Sequence, residues 1–167
     1  MNLRIVPIAE NHVASFRECL DTVAREKKYL AQIEALPLER IKGFVRDSIA
    51  NDVAQFVALD SERVVGWCDI FPHWAAAQMH CGTLGMGVLP AYRGRGIGRQ
   101  LLTICIAKAH LRGITRIVLE AREDNSRAIG LYQKMGFCLE TRTRKALRFD
   151  GEYYDGVQMS LVLEHAA

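Results

Sequence analysis

Apolar residues recur along the chain at helical spacing in four segments, and each segment predicts an amphipathic helix. The segments cover residues 12–27, 37–49, 96–111 and 125–135. The residues at the ends of these segments support the helix prediction, because Pro37 is favourable in a first helical turn and glycine caps are expected at Gly113 and Gly136. Asn125 or Ser126 is expected to cap the start of the last helix.

Seven further segments are apolar, rich in β-branched residues and bounded by turn residues, which predicts strands. They cover residues 3–8, 55–59, 63–71, 81–89, 115–121, 137–147 and 153–163. Polar turns at 60–62 and 150–151 predict two hairpins. The strand at 81–89 carries three glycines, which indicate a bulge or a close approach by a ligand or another backbone. The strand at 115–121 alternates little, as expected of a strand buried on both faces.

The order of these elements, β-α-α-β-β-β-α-β-α-β-β, predicts an α/β (α+β) fold on a mixed sheet. The helix between the strands at 81–89 and 115–121 predicts one parallel crossover. The chain has 167 residues, half of them hydrophobic, so one core needs neither disulfides nor metals, and a single domain over residues 1–167 is expected. The same composition excludes a disordered or collagen-like protein.

Charge and cysteine usage narrow the function classes further. Lys and Arg outnumber Asp and Glu by 22 to 19, and the net charge of +3 is too small to indicate a nucleic-acid-binding protein. The five cysteines are scattered without a C-x-x-C pair, which excludes a clustered zinc site and a disulfide framework. The chain does not begin with a signal-peptide pattern, and no apolar run approaches about 18 residues. We therefore expect a cytoplasmic protein that does not enter a membrane.

The densest chemical information lies in residues 93–98, RGRGIG, between the end of a predicted strand and the start of a helix. The first turn of a helix offers unpaired N–H groups and the positive end of the helix dipole. Glycines there allow an anion to approach the backbone, and Arg93, Arg95 and Arg99 add positive charge. This combination predicts a cradle for a diphosphate group.

Two common nucleotide-binding motifs do not fit this segment. A Walker loop needs a Lys followed by Ser or Thr, and the spacing of Gly94, Gly96 and Gly98 differs from a G-x-G-x-x-G dinucleotide fingerprint. Arg93-x-x-Gly96-x-Gly98 instead resembles the R/Q-x-x-G-x-G/A signature of the GNAT N-acetyltransferase superfamily. Residues 125–137 also resemble the family pattern N-x-x-A-x-x-x-Y-x-K-x-G-F, and with the order of elements the resemblance covers about residues 3–163.

The resemblance implies a mostly antiparallel mixed sheet of about seven strands, flanked by about four helices, with two splayed parallel central strands. It implies that acetyl-CoA lies between those two strands, with its pantetheine arm along the backbone of 86–88 and its diphosphate on 93–98. No metal is implied. The cofactor-binding residues expected from it are Met86, Gly87, Val88, Arg93, Gly94, Arg95, Gly96, Ile97, Gly98, Arg99 and Asn125.

The resemblance also suggests catalytic residues. Tyr132 matches a tyrosine that in many family members donates a proton to the departing CoA thiolate, although on its helix face it could also be a core aromatic. Glu120 is the favoured base for the amine, and the alternative is a structural carboxylate paired with Arg122 or Arg116. Loop histidines at 73 and 80, Asp69 and a water chain remain further candidates for the base.

Several residues are candidates for the acceptor side. Trp67, Asp69 and Phe71 share one face of their strand and would suit an ammonium group, or they pack beneath a helix. Tyr29 and Tyr154 correspond to regions that line the acceptor site in the family. The basic stretch 141–148 predicts a charged edge strand or a surface that attracts an acidic partner.

Together these features predict an N-acetyltransferase that moves the acetyl group of acetyl-CoA directly to an amine in a ternary complex, because no cysteine is placed as an acyl carrier. A backbone N–H near Val88 is expected to stabilise the oxyanion. The acceptor is a small-molecule amine, or a protein N-terminus or lysine, and a homodimer is possible. The alternative is a non-catalytic module that binds or senses acyl-CoA.

Overall fold

The computed structural model describes residues 1–165, and the last two residues lie outside this range. A seven-stranded sheet has the order β1-β2-β3-β4-β5-β7-β6. Its strands are β1 (Leu3–Pro7), β2 (Ala54–Asp60), β3 (Arg63–Pro72), β4 (Cys81–Val88), β5 (Arg116–Arg122), β6 (Cys138–Phe149) and β7 (Glu152–Val162). The helices are α1 (Val13–Ala24), α2 (Leu38–Ala50), α3 (Ile97–Leu111) and α4 (Ser126–Lys134), with 3-10 turns at Glu10–His12, Ala76–Gln78 and Pro90–Tyr92.

The predicted fold class is confirmed. Neighbouring strands are antiparallel except β4 and β5, which are parallel and joined by α3. Both predicted hairpins form, and Asp150 and Gly151 take the positive φ angles that a tight turn needs.

Most element ends lie within two residues of the sequence prediction, and two helix ends show a structural reason for the difference. The first helix was predicted to reach residue 27 but ends at Ala24. Lys27 has a φ of 52° and its Nζ lies 2.7 Å from Asp150 Oδ1, so the chain has left the helix to reach the β6–β7 turn. The second helix begins at Leu38, and Pro37 is its N-cap rather than a residue of its first turn.

Helices cover both faces of the sheet. On the face covered by α1, with α2 packed beside it, the rings of Phe16 and Trp67 meet edge to face with 5.9 Å between centroids. On the opposite face, a Cβ atom at Gly66 would lie 3.4 Å from Leu101 of α3. We call these the α1 face and the α3 face. Since side chains alternate along a strand, Trp67, Asp69 and Phe71 all point to the α1 face.

A wedge opens between the two parallel strands. Residues Cys81, Gly82 and Thr83 of β4 pair with Arg116, Ile117 and Val118 of β5, and the pairing stops there. Beyond this point β4 is paired only with β3, and β5 only with β7. One edge of β4 is therefore without a strand partner over residues 84–88, and every second peptide group there faces the gap.

The basic stretch lies on β6, the last strand of the sheet order. The edge-strand prediction is confirmed, and most residues of this strand are exposed. Arg142 contacts Glu123 and Asp155 at 2.8 Å, and Lys145 lies over the ring of Tyr153. Among the helices of residues 1–165, none has the length and apolarity that crossing a bilayer requires.

Candidate active site

A cavity of about 450 Å³ fills the wedge between β4 and β5. It is lined by the end of β4, the loop that starts α3, the end of β5, the N-cap and one face of α4, and two residues from α1 and the loop after it. The lining residues are Val23, Tyr29, Met86, Gly87, Val88, Tyr92, Arg93, Gly94, Gly96, Ile97, Gly98, Arg99, Glu120, Ala121, Asn125, Arg127, Ala128, Leu131 and Tyr132.

The loop before α3 presents backbone N–H groups to this cavity. Gly94 and Gly96 have φ angles of 76° and 79°, a left-handed conformation that favours glycine. Within residues 1–165, the amides of residues 94–98 find no backbone or side-chain acceptor. A series of free amides at a helix start, on a loop without bulky side chains, is a site built for an anion.

Gly98 has a different role, because it allows close packing. A Cβ atom there would lie 3.3 Å from both Met86 of β4 and Leu131 of α4. The missing side chain lets α3, α4 and β4 pack closely beside the cavity.

The side chain of Arg93 does not face the cavity as a free charge. Its Nη1 lies 3.0 Å from Glu26 Oε2, and its Nε donates to the Val88 carbonyl at 2.9 Å. The guanidinium also lies 4.8 Å from the centre of the Tyr29 ring. The hydrogen bond with Glu26 raises the pKa of Arg93 further above its ordinary value. Arg93 therefore joins the end of β4 to the loop after α1.

Two further arginines, Arg99 and Arg127, bring positive charge to the cavity, and Arg95 of the motif does not. Arg95 is absent from the lining in the described chain, and its guanidinium lies over the ring of Tyr92. Arg99 and Arg127 do line the cavity. Nη2 of Arg127 lies 2.7 Å from where a Cβ of Gly94 would be. Arg127 was not predicted from the sequence, although it stands two residues after Asn125 in the family-like segment, in the first turn of α4.

Tyr132 is buried against the cavity, with 8% of its surface exposed. Its ring lies 5.8 Å from that of Phe137, so the residue packs in the core and lines the cavity at once. Its hydroxyl has no hydrogen-bond partner in the part of the chain that is described. Burial, followed by the nearby Cys68 thiol, raises the pKa of Tyr132 well above its ordinary value. The phenol is therefore protonated at neutral pH.

Asn125 lines the cavity and is also the N-cap of α4. Its Oδ1 accepts a hydrogen bond from the Ala128 amide at 3.3 Å. The side chain thus fixes the start of the helix that carries Tyr132 and Arg127.

Glu120 is exposed and lines the cavity from the β5 side. The alternative in which it pairs with Arg122 or Arg116 is wrong, because those residues bind Asp124 at 2.6 Å and Glu140 at 2.7 Å. Oε1 of Glu120 lies 3.1 Å from where a Cβ of Gly156 would be, so the carboxylate leans toward β7.

The predicted acceptor-side residues are not all brought to the cavity. Tyr29 lines the cavity. Trp67 is only 3% exposed and packs between Phe16 and the backbone of Gly87, which agrees with the alternative in which its ring packs beneath a helix. Phe71 lies outside the lining. Tyr154 also lies outside it, with Arg122 stacked 3.9 Å from the centre of its ring.

The three other candidates for a base also lie outside the lining. His73 contacts the Thr83 hydroxyl at 3.0 Å in the loop before β4, and His80 is exposed. Asp69 is half-buried on the α1 face beside the wedge. Burial raises the pKa of Asp69 to about 7.

Residues 16–137 match the acetyltransferase (GNAT) family. This match spans well over half of the chain. The chain belongs to the GNAT acetyltransferase family. The family and enzyme class predicted from the sequence, an acetyl-CoA-dependent N-acetyltransferase, are thereby confirmed, and so is the GNAT fold.

Three similar proteins illustrate the match. An uncharacterized prophage-derived N-acetyltransferase YokL of Bacillus subtilis is 25% identical over 74% of this chain and 70% of its own. N-alpha-acetyltransferase 30 of Schizosaccharomyces pombe is 34% identical over 50% of this chain, which spans 56% of that protein. The structure of yncA, a putative acetyltransferase from Salmonella typhimurium with its cofactor acetyl-CoA, superposes with a TM-score of 0.92, covering 100% of this chain and 97% of that one. At 18% identity, this last likeness establishes the fold.

Proposed function

We propose that this GNAT protein transfers the acetyl group of acetyl-CoA directly to an amine while both substrates are bound. The observation that carries the proposal is the single cavity that joins the amide-rich loop, the unpaired edge of β4 and the hydroxyl of Tyr132. Each of these groups suits one part of a thioester donor.

The residues present fit acetyl-CoA. The free amides of residues 94–98 and the arginines at 99 and 127 suit a diphosphate. The unpaired edge of β4 at 86–88 suits the amides of the pantetheine arm, which would add to the sheet like a further strand. Acetyl-CoA itself supplies the activated acyl group as a thioester.

Tyr132 is suited to act as the general acid. Tyr132 lines the cavity, its hydroxyl has no hydrogen-bond partner among residues 1–165, and burial raises its pKa, so the phenol still carries its proton at neutral pH. That proton is then available to the departing thiolate. We assign to a backbone N–H near Val88 the stabilisation of the developing negative charge on the carbonyl oxygen.

Direct attack by the amine is favoured over an acyl-cysteine route. Four of the five cysteines are buried and Cys138 is exposed on β6, and among the described residues that line the cavity there is no cysteine. Burial raises the pKa of Cys19 to about 12 and that of Cys68 well above its ordinary value. A buried thiol that stays protonated is a poor nucleophile.

The amine must lose a proton before it can attack, and Glu120 is the carboxylate that lines the cavity. Tyr29 and Glu120 line the same cavity and are not among the groups assigned to the donor. We propose that the acceptor enters between them, as a small-molecule amine or as a protein N-terminus or lysine.

Thermal unfolding with acetyl-CoA, followed by thiol release with a panel of amines, tests this function. The panel contains ethanolamine, putrescine, tyramine, lysine and a peptide with a free α-amine. Binding at about 100 times Kd should add about 2.7 kcal/mol to the free energy of unfolding. Thiol release with one of the amines supports the enzyme. Stabilisation without release for any amine favours the acyl-CoA-sensing alternative.

A further inference from the structure

A row of polar residues crosses the α1 face of the sheet at the narrow end of the wedge. Gln55 of β2 lies opposite Asp69 of β3, which lies opposite Gly85 of β4. The last register pairs of β4 and β5 join residues 82 and 83 to 117 and 118. Continuing that register by two residues brings Gly85 level with Glu120. Asp69 and Glu120 therefore flank the wedge from its two sides on one face.

The carboxylate of Asp69 leans over β4. Its Oδ1 lies 3.0 Å from the position that a Cβ of Gly85 would occupy. Gly85 has an ordinary φ angle, so a glycine is not needed there for the backbone conformation. The missing side chain leaves the space that the carboxylate fills. By contrast, the Glu120 carboxylate leans over Gly156 toward β7 and away from the wedge.

The surroundings of Asp69 favour proton uptake. Within residues 1–165 it forms no ion pair, and its pKa responds only to burial, which raises it to about 7, and to the Gly85 backbone, which lowers it. Neighbouring Gln55 is 5% exposed, and its buried Oε1 has no hydrogen-bond partner in the described range. Directly opposite residues place their Cβ atoms about 5 Å apart. Once Asp69 is protonated, its O–H can donate to this unused oxygen.

We propose that Asp69 is the general base that takes the proton from the acceptor amine, with Gln55 receiving the hydrogen bond of the protonated acid. The proposal rests on the proposed function and replaces Glu120 in this one step. Glu120 keeps a role in attracting the cationic amine.

The step is a proton transfer followed by acyl transfer. An ammonium proton moves to the Asp69 carboxylate, which leaves a neutral amine and a carboxylic acid. The amine lone pair then forms the bond to the acetyl carbon while the carbon–sulfur bond breaks and its electron pair stays on sulfur. The second amine proton passes to water as the amide forms. Tyr132 supplies the proton that the thiolate takes up, and the phenol and Asp69 return to their starting protonation states by exchange with water.

Two acceptors of different basicity test the base role. The first is the most reactive alkylamine of the panel, which is protonated at pH 7, and the second is hydroxylamine, which is already neutral. Asp69→Asn should lower kcat/KM for the alkylamine by about 100-fold, the usual contribution of a general base, and that for hydroxylamine by much less. Glu120→Gln should instead raise the KM for the cationic alkylamine, with little change in its kcat and little change in either value for hydroxylamine, whereas the loss in Asp69→Asn should lie in kcat. Asp47→Asn, an exposed residue of α2, is the matched control.

The outcomes separate the proposals. Equal losses with both acceptors in Asp69→Asn, or no loss, overturn the base role while leaving acetyl transfer intact. A wild-type protein that binds acetyl-CoA but releases no thiol with any amine contradicts the proposed function and the base role with it.

A second variant covers the case in which Asp69→Asn does not fold. Gly85→Ala places a methyl group against Oδ1 of Asp69, and it should show the same selective loss with the alkylamine. Gly43→Ala is its control, because nothing lies within 4 Å of the added methyl group there. A Gly85→Ala protein with unchanged selectivity between the two acceptors also overturns the base role.

Discussion

The two sides of the wedge between β4 and β5 are built from different kinds of chemical group. The donor side consists of backbone amides, glycines and an unpaired strand edge, nearly all from residues 86–98. The proposed acceptor side consists of side chains from β3, β5 and the loop after α1. Most of the proposed donor site thus comes from one continuous segment, to which α4 adds Asn125 and Arg127, whereas the proposed acceptor site depends on segments that meet only in the folded chain.

Long-range ion pairs hold the acceptor side in place. Glu26 reaches Arg93 across 67 residues, and Lys27 reaches Asp150 across 123 residues. Between them they tie the loop that carries Tyr29 to the donor loop and to the β6–β7 turn. Variants that affect one side, the other or neither should therefore have separable effects.

The largest effect is expected where the two sides meet. Tyr132→Phe should lower kcat by about 100-fold, the usual contribution of a general acid, because the departing thiolate loses its proton donor. The acetyl-CoA Kd and the acceptor KM should change little, since the ring still fills its place beside Phe137. Steady-state kinetics with calorimetric binding measures all three. Tyr153→Phe, on the exposed hairpin, is the control, and an unchanged kcat in Tyr132→Phe refutes the acid role.

The next effect is specific to the donor side. Gly94→Ala should weaken acetyl-CoA binding by about tenfold, because the added methyl group would lie 2.7 Å from Arg127 Nη2 and displace that guanidinium in the cavity. Isothermal titration calorimetry measures this loss. Gly113→Ala has a similar φ of 89°, with nothing within 4 Å of the added methyl group, and should lower Tm without changing Kd. Equal Kd values for the two variants contradict the anion-site assignment.

A smaller effect should be confined to the acceptor side. Glu26→Gln removes the carboxylate that holds Arg93, and leaving that half-buried guanidinium without its charged partner costs about 1–3 kcal/mol of stability. The loop with Tyr29 loosens, so the acceptor KM should rise while the acetyl-CoA Kd stays within about twofold. Glu39→Gln removes an exposed helical pair with Lys42 and should change neither value. A rise in the acetyl-CoA Kd that matches the rise in the acceptor KM contradicts the separation of the two sides.

The smallest effect lies far from both sides. Hydrogen bonds from Arg116 and then Ser160 lower the pKa of Glu140 to about 2 in the folded protein. Because the folded pKa is below the unfolded value, the pair stabilises the fold above about pH 4.5 and this stabilisation is lost as pH falls toward 2. Glu140→Gln should flatten the loss of Tm between those pH values. Unchanged acid unfolding would show that the pair contributes nothing.

Much of the donor side could be predicted from the sequence, because its information is local. Gly94, Gly96 and Asn125 lie where the motif spacing placed them, since glycines at a helix start and an N-cap act on their immediate neighbours. Arg93 shows the limit of prediction from the local sequence. Arg93 lines the cavity, but its side chain binds Glu26, and no spacing within the motif indicates that partner.

Much less of the proposed acceptor side could be predicted from the sequence, because its residues come from separate elements. The alternation along β3 correctly put Trp67 and Asp69 on one face, but it did not separate the ring that packs on Phe16 from the carboxylate that leans over Gly85. Gln55 and Arg127 carried no signal of their own, because each matters only through a neighbour on another element.

The sequence by itself determined the elements, their order, the parallel crossover and the glycine-rich helix start, because each depends on periodicity or on residues a few positions apart. Only the tertiary structure decided which charges face the cavity and which carboxylate leans toward the wedge. Those outcomes depend on strand register and on contacts across as many as 123 residues. The arginines illustrate this, because Arg93 of the motif is paired with Glu26, Arg95 lies over Tyr92 outside the cavity lining, and Arg127 of another helix lines the cavity.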